Sequence, residues 1–374
     1  MLNHLLKLNQ KIFTPDIELA SMRVGFGEGI VKAAEVNKKV VALCADLTES
    51  LHLEKFKQKF PDRFIEVGVA EQNLVTVASG MAAAGKVPFV GSYAVFSPGR
   101  NWEQIRTTVC YNDVPVKIIG SHAGVTVGPD GGSHQALEDI ALMRVLPRMV
   151  VIVPCDTIEA RKATEAAAKT DSPTYIRLAR DKTPVMTSDD TPFEIGKAQV
   201  VFRSEINAIN SGEKSSHIHH TDSHNSRVHL AGGKMNAVHS KKTGHTGAVG
   251  HCDVGIIATG PSLYRALNVA KKITEEGKSV QVMNLSTIKP LDERSIIKLA
   301  QESGALVTVE DHQIAGGMGS AVAECLAKHF PVPIEFIGIN DRFGQSGTTE
   351  ELIANYHIDE QDIYDATHRV MLRK

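Results

Sequence analysis

The sequence has no CxxC pair: its five cysteines, Cys44, Cys110, Cys155, Cys252 and Cys325, lie far apart. That excludes a disulfide-dense framework and makes a reducing cytoplasm the expected compartment. No run approaches the ~18 apolar residues of a membrane span. The start, MLNHLLKLNQKIFTPD, lacks the long apolar core and small-residue cleavage site of a signal peptide. Neither sign of charge dominates. With 41 Lys and Arg against 43 Asp and Glu, the net charge of −2 gives no footprint for nucleic acid or an anionic membrane. Familiar loops are missing too. No GxGxxG carries a strand into a helix, no GxxxxGK(S/T) phosphate loop is present, and no GxSxG elbow of a hydrolase occurs.

What is present is an ordinary globular composition, 42% hydrophobic and 22% charged over 374 residues, a length that suggests two domains. Short β-branched runs at 40–46, 64–69, 87–94, 114–122, 150–156 and 173–180 alternate with helical patterns at 21–36, 71–84, 99–111, 135–146 and 157–169. That rhythm predicts an α/β fold, doubly wound on a parallel sheet. KTPVMTSDDTPFEIG (182–196) reads as a linker. A second, smaller α/β series follows, with strands at 253–260, 279–288, 305–311 and 334–340 and helices near 262–276, 292–303, 318–329 and the C-terminal end. The expected domains are 15–185 and 195–374. Between the strand-like runs KAQVVF and DVGIIATG, residues 204–251 carry eight of the sixteen histidines in a segment poor in large apolar residues. It is expected to be a disordered insertion, because its histidines keep no fixed ligand spacing.

Ligands of open α/β sheets bind beyond the carboxyl ends of the strands. Those ends are polar here. They carry Asp46 and Ser50, then Glu71, then Tyr93 and Phe96, then His122 with the glycine-rich loop AGVTVGPDGGSH bearing Asp130 and His134, and finally Arg177 and Arg180. Each residue alone has a plain reading as a cap, turn former or core ring. Glu71, in FIEVGVAEQNLV, is equally readable as a helix-dipole charge or as a carboxyl held dry for chemistry. Together they predict a pocket for a charged small molecule. In the second series, AGGMGSA (315–321) is readable as an anion-binding helix start or as close helix–strand packing.

PDRFIEVGVAEQN (61–73), GSHAGVTVGPDGGSHQALEDIALMR (120–144), STIKPLD (286–292), VEDH (309–312) and DRFGQSG (341–347) carry a resemblance. The chain resembles the C-terminal half of transketolase, a thiamine-diphosphate-binding pyrimidine domain followed by the transketolase C-terminal domain. The resemblance implies that Glu71 contacts N1′ of thiamine diphosphate, that Tyr93 and Phe96 pack on its aminopyrimidine, and that Leu47, preceded by Asp46, lies near its thiazolium ring. It implies that His122 and His134 assist proton transfers on the sugar, that Asp130 reads a donor hydroxyl, and that Arg23, Ser50 and Arg180 hold the sugar phosphate. A third ring of some relatives falls on Gly99, and Pro129 and Gly132 depart from the commoner GEDGP loop.

The family's diphosphate-binding half carries GDG and, about thirty residues later, Asn; no GDG occurs here, and with the sequence starting just before the pyrimidine domain, that half is expected to lie on another chain. The resemblance therefore implies one subunit of a split transketolase. It would transfer a two-carbon ketol unit between sugar phosphates of the pentose phosphate pathway, as a heterotetramer with an N-terminal subunit that supplies most ligands to Mg2+ or Ca2+. No metal ligand is assigned to this chain. Two alternatives remain open: a subunit like 1-deoxyxylulose-5-phosphate synthase or a 2-oxoacid dehydrogenase beta chain, and a non-catalytic metal-handling partner built on the His-rich segment.

Overall fold

The computed structural model of the chain describes residues 1–204 and 252–374. The insertion expected at 204–251 lies, beyond Ser204, outside the described residues. Fourteen strands are described: β1 (Leu19–Ser21), β2 (Val40–Cys44), β3 (Phe64–Glu66), β4 (Val87–Tyr93), β5 (Lys117–Ser121), β6 (Val150–Ile152), β7 (Thr174–Arg177), β8 (Lys182–Pro184), β9 (Gln199–Arg203), β10 (Val254–Ala258), β11 (Val280–Asn284), β12 (Thr287–Lys289), β13 (Leu306–Gln313) and β14 (Ile334–Ile339). The first sheet has the order β12-β6-β7-β5-β4-β2-β3, the second β14-β13-β10-β11-β9, and β1 pairs with β8 in a short ribbon. Strands such as VVALC in β2 are buried at every residue, as a parallel sheet covered on both faces requires. All pairs among β2 to β7 are parallel.

Three expectations need correction. The run 279–288 is two strands: β11 joins the second sheet, and after Leu285 and Ser286 the chain crosses so that β12 pairs antiparallel with β6 in the first. Alternating apolar residues mark a strand but not the sheet that receives it, and STIKPLD supplies the first sheet's edge. The linker 182–196 is tied down. Its β8 pairs with β1, and the buried Asp156 carboxylate accepts the Met186 and Thr187 N–H groups at 2.8 and 2.6 Å. The helix expected at 135–146 covers only Asp139–Arg144, because the glycine-rich loop before it follows the neighbouring domain's surface.

The core does not stop at the domain boundary. Val151 and Tyr175 of the first sheet share one hydrophobic cluster with Met283, Leu285, Ile288 and Met318. Leu8 and Ile12 of the N-terminal segment are buried in the second domain's core. Among the described residues no helix is long and apolar enough to cross a membrane.

Candidate active site

The carboxyl ends of β2 to β5 and β7 converge on one edge of the first sheet, where most of the singled-out residues meet. After β3 the chain turns through Gly68 and enters the helix Glu71–Ala83 at its first residue. Glu71 is buried, 3% exposed. The fully buried Asn101 donates to the Glu71 carbonyl at 2.9 Å and holds the helix start. The Glu71 carboxylate accepts from Arg100 Nη1 at 2.8 Å, and that guanidinium lies over the Phe96 ring, 4.5 Å from its centroid.

Tyr93 ends β4, and its ring is nearly parallel to Phe96, 13° apart with centroids separated by 6.1 Å. Tyr93 also stacks on His122 at 3.8 Å, while His134 meets Phe96 edge-on at 5.6 Å. The four rings form one wall beside the Glu71–Arg100 pair. His122 follows β5 with φ of +54° and binds Ser121 Oγ through Nδ1 at 2.6 Å. Burial, then the charges of Arg23 and Arg180 and the nearby His134, pushes its pKa down to about 3. The ring is neutral throughout the working range.

A second group stands next to this wall. Arg23 donates to the Ser50 carbonyl at 2.8 Å and to the Arg180 carbonyl at 3.0 Å, and Arg180 donates to the Val127 carbonyl at 2.9 Å. Arg23, Ser50 and Arg180 are thus brought together, with Ser50 engaged through its backbone. Asp46, at φ of +59°, gives its N–H to Glu66 at 2.7 Å and leaves its own carboxylate exposed. Leu47 is half-buried beside it, its N–H on Cys44 Sγ at 3.2 Å. Asp130, in the glycine-rich loop, is exposed.

That loop is held from behind by the second domain. Asp311 of VEDH accepts the Val125 N–H at 3.0 Å. Gly124 sits at φ of +84°, against the Asp311 carboxylate, where a Cβ would collide. His312, fully buried, accepts the Ile140 N–H on Nε2 at 3.1 Å and donates from Nδ1 to the Gln313 carbonyl at 2.7 Å. Burial pushes its pKa down to about 4. Gln135 donates to the Gln345 carbonyl of DRFGQSG at 3.0 Å. Arg177, grouped by sequence with the pocket guanidiniums, is instead buried in this contact. It donates to Asp139 and to the Asp311 carbonyl, both at 2.8 Å. At AGGMGSA the two readings merge: small residues pack closely, and the anion seat of the helix Met318–His329 is filled by the chain's own Glu310, which accepts from Met318 and Gly319 at 2.7 and 2.8 Å.

Sequence reasoning missed Arg100 and Asn101. The available signal was GRNWEQIR (99–106), two residues beyond Phe96, a cation and an amide following an expected ligand-packing ring.

Comparison with known proteins gives a consistent picture. The family model "Transketolase, pyrimidine binding domain" matches residues 18–186, and "Transketolase, C-terminal domain" matches 248–363. A Methanocaldococcus jannaschii protein named as a transketolase C-terminal section is 36% identical, over 91% of this chain and 93% of its own length. The 6-deoxy-6-sulfo-D-fructose transketolase subunit SqwH of a Clostridium species is 33% identical over 97% and 98%. A solved structure described as "Split gene transketolase, inactive beta4 tetramer" superposes with a TM-score of 0.77 at 35% identity, covering 95% of this chain and 99% of that one.

Proposed function

The chain belongs to the transketolase family, as a C-terminal section of the split kind, and on that premise we propose that it is the C-terminal subunit of a two-chain transketolase. The reaction is transfer of a two-carbon ketol unit from a ketose phosphate to an aldose phosphate, in the cytoplasm, by a heterotetramer with an N-terminal subunit bearing GDG and Asn. Residues 15–185 form the pyrimidine domain and 195–374 the C-terminal domain. The observation that carries the reading is the buried Glu71 carboxylate, joined through Arg100 to the Phe96 ring, which lies nearly parallel to Tyr93. A dry carboxylate next to stacked rings fits the aminopyrimidine half of thiamine diphosphate; nothing in the sequence supplies the diphosphate motif, so the partner holds that half and its Mg2+.

When bound, the cofactor supplies the carbon centre that carries the two-carbon unit between sugars. This chain's residues do the rest at their end. Glu71 holds and exchanges a proton at N1′, Tyr93 and Phe96 fix the aminopyrimidine plane, and Leu47, preceded by Asp46, lies near the thiazolium ring. His122 and His134 accept and return protons at the sugar hydroxyls. Asp130 reads a hydroxyl of the donor. Arg23, Ser50 and Arg180 hold the terminal anion by charge-assisted hydrogen bonds.

The name of the sulfofructose relative makes the terminal group the variable part. The test offers the assembled complex xylulose 5-phosphate, a 6-deoxy-6-sulfo ketose and unphosphorylated xylulose. The proposal expects the phosphate ester to have the highest kcat/KM and Arg180→Ala to raise its KM at least about tenfold. Preference for the uncharged sugar, or an unmoved KM, contradicts the assignment.

A further inference from the structure

Arg100 makes two contacts that, if Glu71 and Phe96 serve the cofactor as proposed, the cofactor itself must make. Its Nη1 donates to Glu71 Oε2 at 2.8 Å, and its guanidinium covers the Phe96 ring at 4.5 Å. The Glu71 side chain is 3% exposed and that of Arg100 is 50%. The cation therefore reaches inward from solvent to a carboxylate that would otherwise stand buried without a charge partner. The backbone aims it there. Gly99 passes so close to the Val95 carbonyl that no Cβ fits, which also explains why the third ring of some relatives is absent. The Arg100 N–H is fixed to the Phe96 carbonyl at 2.9 Å. Asn101, the next residue, is anchored to the Glu71 carbonyl and to Ser97.

A guanidinium and an aminopyrimidine share part of their recognition chemistry, although the neutral pyrimidine also carries ring-nitrogen acceptors that a guanidinium lacks. Each is a planar N–C–N unit that donates in its own plane and stacks through its face. We propose that Arg100 is an internal stand-in for the aminopyrimidine ring: before cofactor binds it pairs with Glu71 and covers Phe96, and thiamine diphosphate enters by displacing it. This rests on the reading of Glu71 and Phe96 given above. If the aminopyrimidine packs on the Phe96 face that Arg100 covers at 4.5 Å, the two cannot occupy it together. Displacement is also easy, because a pair with one partner half in water is weak. Until then, Arg100 keeps the buried carboxylate from being left unpaired, a state that is costly. Arg100 is thus a positioning residue that holds the site in its bound shape and competes mildly with the cofactor.

The experiment is a calorimetric titration of the assembled two-chain complex with thiamine diphosphate in the presence of Mg2+. Arg100→Ala is expected to lower Kd about three- to tenfold, the size of a half-exposed ion pair and one cation–ring contact. In a Glu71→Ala background that gain should fall by at least half, because the displaced ion pair is already gone. An unchanged or weakened Kd in Arg100→Ala overturns the proposal. A second arm uses the chain by itself: side-chain nitrogen NMR should show Arg100 restrained in the unaltered protein and released in Glu71→Gln. A freely rotating Arg100 in the unaltered chain overturns it as well. Failure of the underlying reading looks different, since the Glu71→Ala complex would then bind cofactor and turn over like the unaltered complex whatever residue 100 is.

Discussion

Glu71 shows how a single position acquires a role. A helix start tolerates a carboxylate on electrostatic grounds alone, yet this one is 3% exposed and paired with Arg100, whose guanidinium covers Phe96 in the wall of four rings. Glu71→Ala in the assembled complex should cost about 10²- to 10⁴-fold in kcat, the range of acid–base assistance, with an unchanged circular dichroism spectrum. Activity within about tenfold of the unaltered complex would contradict its role. His122 gives a second expectation. With its pKa held near 3 by burial and the facing Arg23 and Arg180, its ring NMR signals should stay constant between pH 5 and 8; a midpoint near the ordinary value of about 6.5 would sink the claim of a neutral ring. These residues were legible in the sequence because each sits directly at a strand end, where local pattern and location coincide. Arg100 and Arg177 were not, since their partners, Glu71 and Asp139 with Asp311, lie 29 or more residues away.

Elements carry the lesson further. Most strands and helices were readable from the alternation of β-branched runs with helical periodicity. The destination of β12 was not, because pairing with β6 depends on how the second domain docks. The same docking places Asp311 and His312 against the glycine-rich loop, so VEDH works as a clamp on the segment that carries Asp130 and His134. Gly124→Ala tests the clamp. The residue has φ of +84° and faces the Asp311 carboxylate, so the substitution should cost at least about 1–3 kcal/mol of stability and raise the donor KM while leaving cofactor binding unchanged. Unaltered unfolding and an unaltered KM would remove the clamp from the account. His312 makes the contact pH-dependent. Its pKa is about 4 in the fold and about 6.5 when unfolded. Its contribution is therefore present above about pH 6.5 and lost as pH falls through 4, at up to about 1.4 kcal/mol per pH unit. Glu159 and Glu310 act oppositely: burial pushes both up to about 7, so their contribution is full below about pH 4.5 and lost as pH rises through 7. In denaturant titrations, the stability of the unaltered chain relative to His312→Asn should accordingly fall as pH drops from 6.5 to 4, the glutamate contributions being common to both chains and cancelling in the difference. A difference that does not change with pH would contradict the assignment.

Among the described residues one hydrophobic cluster runs through both sheets, and the second domain donates an edge strand and a clamp to the first. That continuity fits a chain that acts as one rigid half of an active site. Its half offers a carboxylate, an aromatic wall, two histidines and a pair of arginines at one sheet edge. The sequence contains no GDG, the motif on which the family's diphosphate half depends. The proposal that follows is the central one: catalysis belongs to the pair of chains and not to either. It is tested most directly by following ketol transfer from xylulose 5-phosphate to ribose 5-phosphate with thiamine diphosphate and Mg2+. Each purified chain is assayed by itself, and then the two are mixed with the GDG-bearing subunit as partner. The account predicts turnover in the mixture only, rising to a plateau at equimolar chains. Turnover by this chain alone, or none in a mixture that has visibly assembled, would contradict it.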